Sequence, residues 1–375
     1  MFKKISLILI ILTAITTGSG CWDAQDIAER SVVVLGAVDL NQEGGIQFGK
    51  PVQYDATILM PNLYTDTAEK VRIARVSGVS LSGSRDQRAY INPQTILTSM
   101  IRVYLFGESM SISGLAPVLD SLLRNPLLSN SVYMAMTEGQ AGDMITVQPP
   151  DFPDLGIYII DLLRKVNDKS FFPVITLHDF RVQSASPGKN PVLPILRVDA
   201  GEVKISGLGI FRKDKLIDRV GLDGARPLTL LRGVKCKGYI PFVITREGEE
   251  VDRGTVFVGN GRKVRVERQG DQYTFNITIT LKGQLIEHEN PVILTRNREF
   301  LSMIEAQVAA DIESECQTLI ETMQEEYRVD CIDISKYALA KWRSELEDTV
   351  DEGFIERANI NVDVKVHIGN TGDLI

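Results

Sequence analysis

Two hydrophobic rhythms run along this chain, one with the period of a strand and one with that of a helix. Residues 31–40 (SVVVLGAVDL) form a β-branched apolar run that predicts a buried strand, and residues 47–59 predict its hairpin partner across the turn-forming residues 41–45. Residues 100–106 (MIRVYLF) predict a strand, 115–123 (LAPVLDSLL) a helix and 131–136 a strand, so this region alternates β, α, β. Proline-rich stretches at 148–154 and 186–194 predict exposed connections. Strands follow at 203–213, 263–268 and 272–282. In the last of these Tyr273, Phe275, Ile277, Ile279 and Leu281 share one face and threonines and Asn276 the other, the pattern of a half-buried strand.

The helical rhythm is strongest over residues 299–327. Ile304, Val308, Ile312, Cys316, Leu319, Met323 and Tyr327 recur every three or four positions, and acidic residues fill the opposite face. That stripe reads as core. A second helix near 335–347 and a closing strand with Val362, Val364, Val366 and Ile368 on one face complete the pattern. The fold class expected is α+β, multi-domain, with mixed sheets and packed helices. Expected divisions are 1–20, 21–195 and 196–375, the last divisible near residue 260.

The first twenty residues are of another kind. Lys3 and Lys4 precede an apolar run at 5–15, interrupted only by Ser6 and Thr13, and small residues follow: a secretory signal. As a helix that run would cross only about half of a ~30 Å hydrocarbon core. It ends in Gly18-Ser19-Gly20-Cys21, which resembles a bacterial lipobox, with cleavage after Gly20 and a diacylglyceryl group on the thiol of Cys21. Gly18 stands where lipoboxes usually carry an aliphatic residue. Two acyl chains are enough for stable anchoring. Residues 21–30 then read as a polar tether or short helix.

With 375 residues, 44% hydrophobic and 24% charged, the chain has the composition of a folded globular protein. Removing residues 1–20, with two lysines and no acid, takes its formal charge from −8 to −10, which repels nucleic acid. Cys236, Cys316 and Cys331 are too sparse for a disulfide framework. Cys316 on its apolar stripe reads as a buried thiol, with a Cys316–Cys331 pairing left to geometry.

Candidate chemistry is thin. His178, His288 and His367 are isolated, with no second ligand at metal spacing, and no zinc, nucleophile-elbow or phosphate-loop motif occurs. The glycine pairs Gly207/Gly209 and Gly259/Gly261 lack a third glycine and a strand-to-helix setting. The acidic run at 345–352 reads as a solvated helix face. A pair of carboxylates from distant segments, as in a lipid-anchored envelope hydrolase, stays open. So does a lipid-anchored solute-binding protein, which would require two similar lobes of repeated β-α units.

Five segments, in order, resemble the Ger(x)C family of spore germination lipoproteins, the C subunits of germinant receptors. They are Cys21-Trp22-Asp23, residues 34–39 (VLGAVD), 105–138 (LFGESMSISGLAPVLDSLLRNPLLSNSVYMAMTE), 207–216 (GLGIFRKDKL), and Trp342 before 362–372 (VDVKVHIGNTG). Residues 235–251 show no clear match. The resemblance implies three α+β subdomains, no enzymatic site and no cofactor. It implies a peripheral subunit on the outer face of the spore's inner membrane. Its partners would be an A subunit with several spans and soluble regions and a transporter-like B subunit, in a complex that senses nutrients.

Overall fold

The structure, a computed structural model, describes residues 30–62, 70–149, 152, 155–246, 249–289 and 298–370. From its amino end come β1 (Arg30–Val32), β2 (Leu35–Leu40), the small hairpin β3 (Ile46–Gln47) and β4 (Lys50–Pro51), β5 (Tyr54–Pro61) and β6 (Val71–Gly78). Next are α1 (Ser84–Ala89), β7 (Thr95–Leu97), β8 (Val103–Phe106), α2 (Glu108–Ser113), α3 (Ala116–Leu123), β9 (Tyr133–Thr137) and α4 (Ala141–Met144). Helices α5 (Leu155–Lys169) and α6 (Leu177–Ala185) lead to β10 (Val192–Asp199), β11 (Glu202–Arg212) and β12 (Lys215–Gly221). The remainder is α7 (Leu222–Arg232), β13 (Lys237–Arg246), β14 (Glu249–Gln269), β15 (Gln272–His288), α8 (Arg298–Thr322), α9 (Ser335–Leu346), α10 (Phe354–Arg357) and β16 (Asn359–Asn370).

Eight strands form the first sheet, in the order β12-β11-β10-β9-β8-β2-β5-β6. Its centre, β10-β9-β8-β2, is parallel, and both flanks are antiparallel. Alternation along the central strands sends Val38, Tyr104, Phe106, Met134 and Met136 to one face, against Met110, Leu119 and Phe180 of α2, α3 and α6. Leu35, Ala37, Val103, Leu105 and Ala135 go to the other, against Met144, Ile159 and Leu163 of α4 and α5. A parallel centre covered on both faces explains why these strands read as unbroken apolar runs.

The run 31–40 is not one strand. β1 pairs in parallel with β7, outside the large sheet, and the backbone then changes partner: Val33 N–H donates to Leu97 O and Val34 N–H to Leu59 O. Hydrophobicity marks both pieces, and only the hydrogen-bond partners separate them.

In the second sheet, order β13-β14-β15-β16, the β14–β15 hairpin turns at Gly270 (φ +59) and Asp271, where a two-residue loop favours glycine. All five apolar residues expected on one face of β15 are buried. The seven-residue stripe of α8 is buried too, and the helix ends in a π-helical turn, Met323–Tyr327. β16 joins β15 in parallel and forms one edge. There Glu313 accepts from Val364 N–H (2.8 Å) and Glu305 from Ile368 N–H (2.7 Å), so α8 covers edge donors that would otherwise invite another strand. At the opposite edge β13 carries Pro241, a residue tolerated on edges because it offers no donor.

Helix α7 joins the two sheets, touching β11 and β12 on one side and β14, β15 and α8 on the other. The expected division at residue 195 falls inside β10, and the sheet containing it continues to Gly221; residue 260 falls inside β14. The stretch 186–194, expected to be exposed, is largely inside: Gly188 and residues 190–194 are buried. Asn190 explains this, because its Nδ2 donates to Asp330 O (3.3 Å) and its Oδ1 accepts from Lys213 N–H (3.1 Å). Partners so distant in sequence satisfy polar atoms that would otherwise keep the segment at the surface.

Candidate functional site

At the carboxyl ends of the parallel strands, where open α/β sheets carry their sites, the chain gathers a polar crest. Asp39 continues the Leu35, Ala37 face of β2 and is 3% exposed. Its Oδ1 accepts from Ala141 N–H (2.7 Å) and its Oδ2 from Gly142 N–H (2.8 Å), which fixes the start of α4. Two glycines make room. A Cβ at Gly107 would lie 1.9 Å from Asp39 Oδ1, and one at Gly142 would lie 2.8 Å from both Arg75 Nη2 and Thr57 Oγ1. Burial pushes the Asp39 carboxyl above its ordinary pKa, with the two amide bonds opposing it. Arg75 and Asp143 pair across the rim at 2.8 Å, both substantially exposed.

Beside Asp39, Glu108 accepts from Gly139 N–H (3.1 Å) and pairs with Arg219 of β12, whose hydrogen bond holds the Glu108 carboxyl below its usual range. Ser206 donates to Glu138 Oε1 at 2.6 Å. Asp214, in the turn between β11 and β12, accepts at Oδ2 from Ala116 N–H (2.9 Å) and at its carbonyl from Leu115 N–H (3.0 Å), tying that hairpin to the start of α3. Segments 34–39 and 105–138, far apart in sequence, therefore meet at the crest, while the β11–β12 turn of segment 207–216 lies at the other end of the sheet, beside Asn190 ahead of β10. On the crest Asp39 and Glu108 bind backbone amides, so these groups build and hold a surface.

The other candidates are scattered. Cys21 and Gly20 lie outside the described residues. Cys236, Cys316 and Cys331 are free and buried, and burial pushes the Cys316 and Cys331 thiols up to about 12. His178 and His367 are exposed on separate elements, and His288 Nδ1 lies 3.6 Å from Asp252 Oδ2. Among the described residues no cluster of three or more His, Cys, Asp or Glu is placed to hold a metal. Gly207 and Gly209 lie within β11, where a Cβ at Gly207 would sit 2.2 Å from Val220 O; their purpose is close strand packing. Trp342 packs edge-on to Tyr273, with ring centroids 5.5 Å apart.

Residues 23–198 match the family described as "Spore germination protein N-terminal domain", and residues 206–372 match "Spore germination B3/ GerAC like, C-terminal". The chain belongs to the Ger(x)C family of spore germination proteins. Among its Ger(x)C relatives, the YfkR protein of Bacillus subtilis (strain 168) is 27% identical over 232 residues, 56% of this chain and 55% of that protein. Spore germination protein B3 of the same organism is 24% identical over 353 residues, 89% of this chain and 88% of its own length. Spore germination protein GerQC of Bacillus cereus is 22% identical over 271 residues, 71% and 74% of the two chains. The crystal structure of the GerBC protein matches with a TM-score of 0.59 and 18% identity, over 89% of this chain and 97% of that one, a likeness of fold.

Several key residues of this Ger(x)C chain carry little local signal. Arg232 is 7% exposed; its Nη1 donates to Cys331 O (2.6 Å) and its Nη2 to Gln183 Oε1 (2.7 Å) and Asn190 O (3.0 Å). Asp330, wholly enclosed, accepts from the N–H groups of Ile332, Ile334 and Ser335, and burial raises its pKa. Nothing in the spacing of these residues points to a junction. The start of α6 did leave a signal: Thr176 and Asp179 form a reciprocal capping box, readable as T-x-x-D before an apolar residue.

Proposed function

We propose that this chain is the C subunit of a nutrient germinant receptor, held by lipid on Cys21 at the outer face of the spore's inner membrane. It acts by binding the integral A and B subunits, without making or breaking bonds. The observation that carries this reading is the pair of family matches, which together run from residue 23 to residue 372. The crest is consistent with it, because its carboxylates stabilise backbone and leave a fixed polar surface. Cys21 and Arg30 are nine residues apart, a reach of at most ~30 Å, so the lipid would keep the folded body against the membrane. Confinement at that distance strengthens weak contacts with membrane-embedded partners through effective concentration.

The test is purification from detergent-solubilised spore membranes through a carboxyl-terminal tag, with partners read by mass spectrometry. A multi-span protein with soluble regions and a transporter-like protein are expected together. Cys21→Ala is expected to shift the subunit to the soluble fraction and slow nutrient-triggered germination while the domain still folds. Recovery alone or with an ATP-driven permease, or unchanged germination and membrane retention in Cys21→Ala, would sink the proposal.

A further inference from the structure

A cavity of about 480 Å³ opens between α1, the segment around β7 and the turn after α3, away from the crest. Its walls include Arg85, Arg88, Asn92, Gln94, Thr98 and Asn125. Arg88 is only 6% exposed, its Nε has no hydrogen-bond partner, and its Nη2 reaches Ser84 Oγ at a marginal 3.5 Å. Among the described residues, the charged or titratable groups acting on it are Tyr104 and Arg85, with no carboxylate among them. Buried arginines are normally paired, because removing the cation from water is costly unless an anion replaces the lost solvation. Here a second arginine lines the same space.

The polar wall around these cations is already set. Asn92 donates to Ser31 Oγ (3.2 Å) and accepts from Arg72 Nη1 (3.2 Å) and Gln94 N–H (3.3 Å); Asn125 donates to Thr98 Oγ1 (3.0 Å). Such a wall suits a ligand whose hydrogen-bonding atoms are fixed in advance. Two arginines, with no acid among the described lining residues, favour an oxyanion and leave an ammonium group without a counter-charge, which disfavours a zwitterionic amino acid.

We infer that the cavity beside Arg88 and Arg85 binds an oxyanion, a carboxylate or phosphate group, whose charge completes an otherwise unpaired buried arginine. The group comes either from a soluble molecule or from a lipid phosphate. The inference stands apart from the receptor reading, since neither its residues nor its test involves the A and B subunits or germination.

The full chain, purified in detergent, is heated in chloride, inorganic phosphate or succinate at matched ionic strength, and in micelles doped with phosphatidylglycerol or phosphatidylcholine. A saturable rise in melting temperature is expected with phosphate or succinate, or with phosphatidylglycerol but not phosphatidylcholine; which of these acts identifies the source. Arg88→Met should abolish the rise and melt higher than wild type without ligand, and Arg85→Gln should weaken half-saturation about tenfold. If Arg88→Met does not fold, the exposed cavity residue Thr95 provides the second variant: Thr95→Glu supplies a competing carboxylate and should also remove the rise. No saturable shift with any probe, or a shift that survives in Arg88→Met or Thr95→Glu, overturns the inference.

Discussion

Cys316 and Cys331 lie in the core of the second sheet, where the thiolate that reacts with electrophiles is disfavoured by burial. Burial pushes both thiols up to about 12, so a thiol reagent at pH 8 should label the native protein slowly at these positions and rapidly once it is denatured. The count after denaturation is equally informative. Of four cysteines in the sequence, three should react in the exported protein, since Cys21 would be held as a thioether; a fourth reactive thiol would contradict lipid attachment. Legibility at this scale depended on where a residue's partner lies. Cys316 was readable as core because its own helix supplies the stripe. Asp39 was readable only as the end of an apolar strand, because the amides it binds are 102 and 103 residues away.

Elements with a clean period were visible, and those without one were not. The stripe of α8 and the alternation of β15 follow from one face meeting a core. Helix α7 hides because it is buried nearly all round from Ala225 through Arg232 and contains Pro227, so no polar stripe remains. β13 and the first half of β14 hide because Gly238, Pro241, Gly254, Gly259 and Gly261 interrupt their alternation. Some such glycines are steric necessities. A Cβ at Gly283 of β15 would lie 1.9 Å from Phe257 O and 2.7 Å from Val258 Cα, both backbone atoms of the neighbouring strand. Gly283→Ala should therefore destabilise the protein by at least roughly 1–3 kcal/mol in urea unfolding, as overpacking does. A neutral result would mean that the β14–β15 pairing is looser than its register implies.

For the molecule as a whole, the α+β class was evident from the mixture of periods, whereas the way the halves join was not. Arg232 gathers Gln183 of α6, Asn190 before β10 and Cys331 after α8, while Lys213 pairs with Asp351 at 2.7 Å. These contacts hold the eight-stranded sheet to the four-stranded one, together with α7. Arg232→Ala should cost roughly 1.5–3 kcal/mol or more, because it strands buried carbonyls that accept from a charged donor. It should also separate unfolding curves that coincide in the wild type when read by tryptophan fluorescence and by far-ultraviolet circular dichroism. Coincident curves at an unchanged midpoint would argue that α7 alone makes the joint. The placement of β16 governs how the protein must be made. Its partner β15 ends at His288, whereas β16 begins at Asn359, so an emerging or interrupted chain holds an open, alternating apolar strand until nearly everything else has been synthesised. Chains cut short before that point should clump edge to edge and be degraded rather than keep partial activity, because the apolar face of β15 stays uncovered without the final strand.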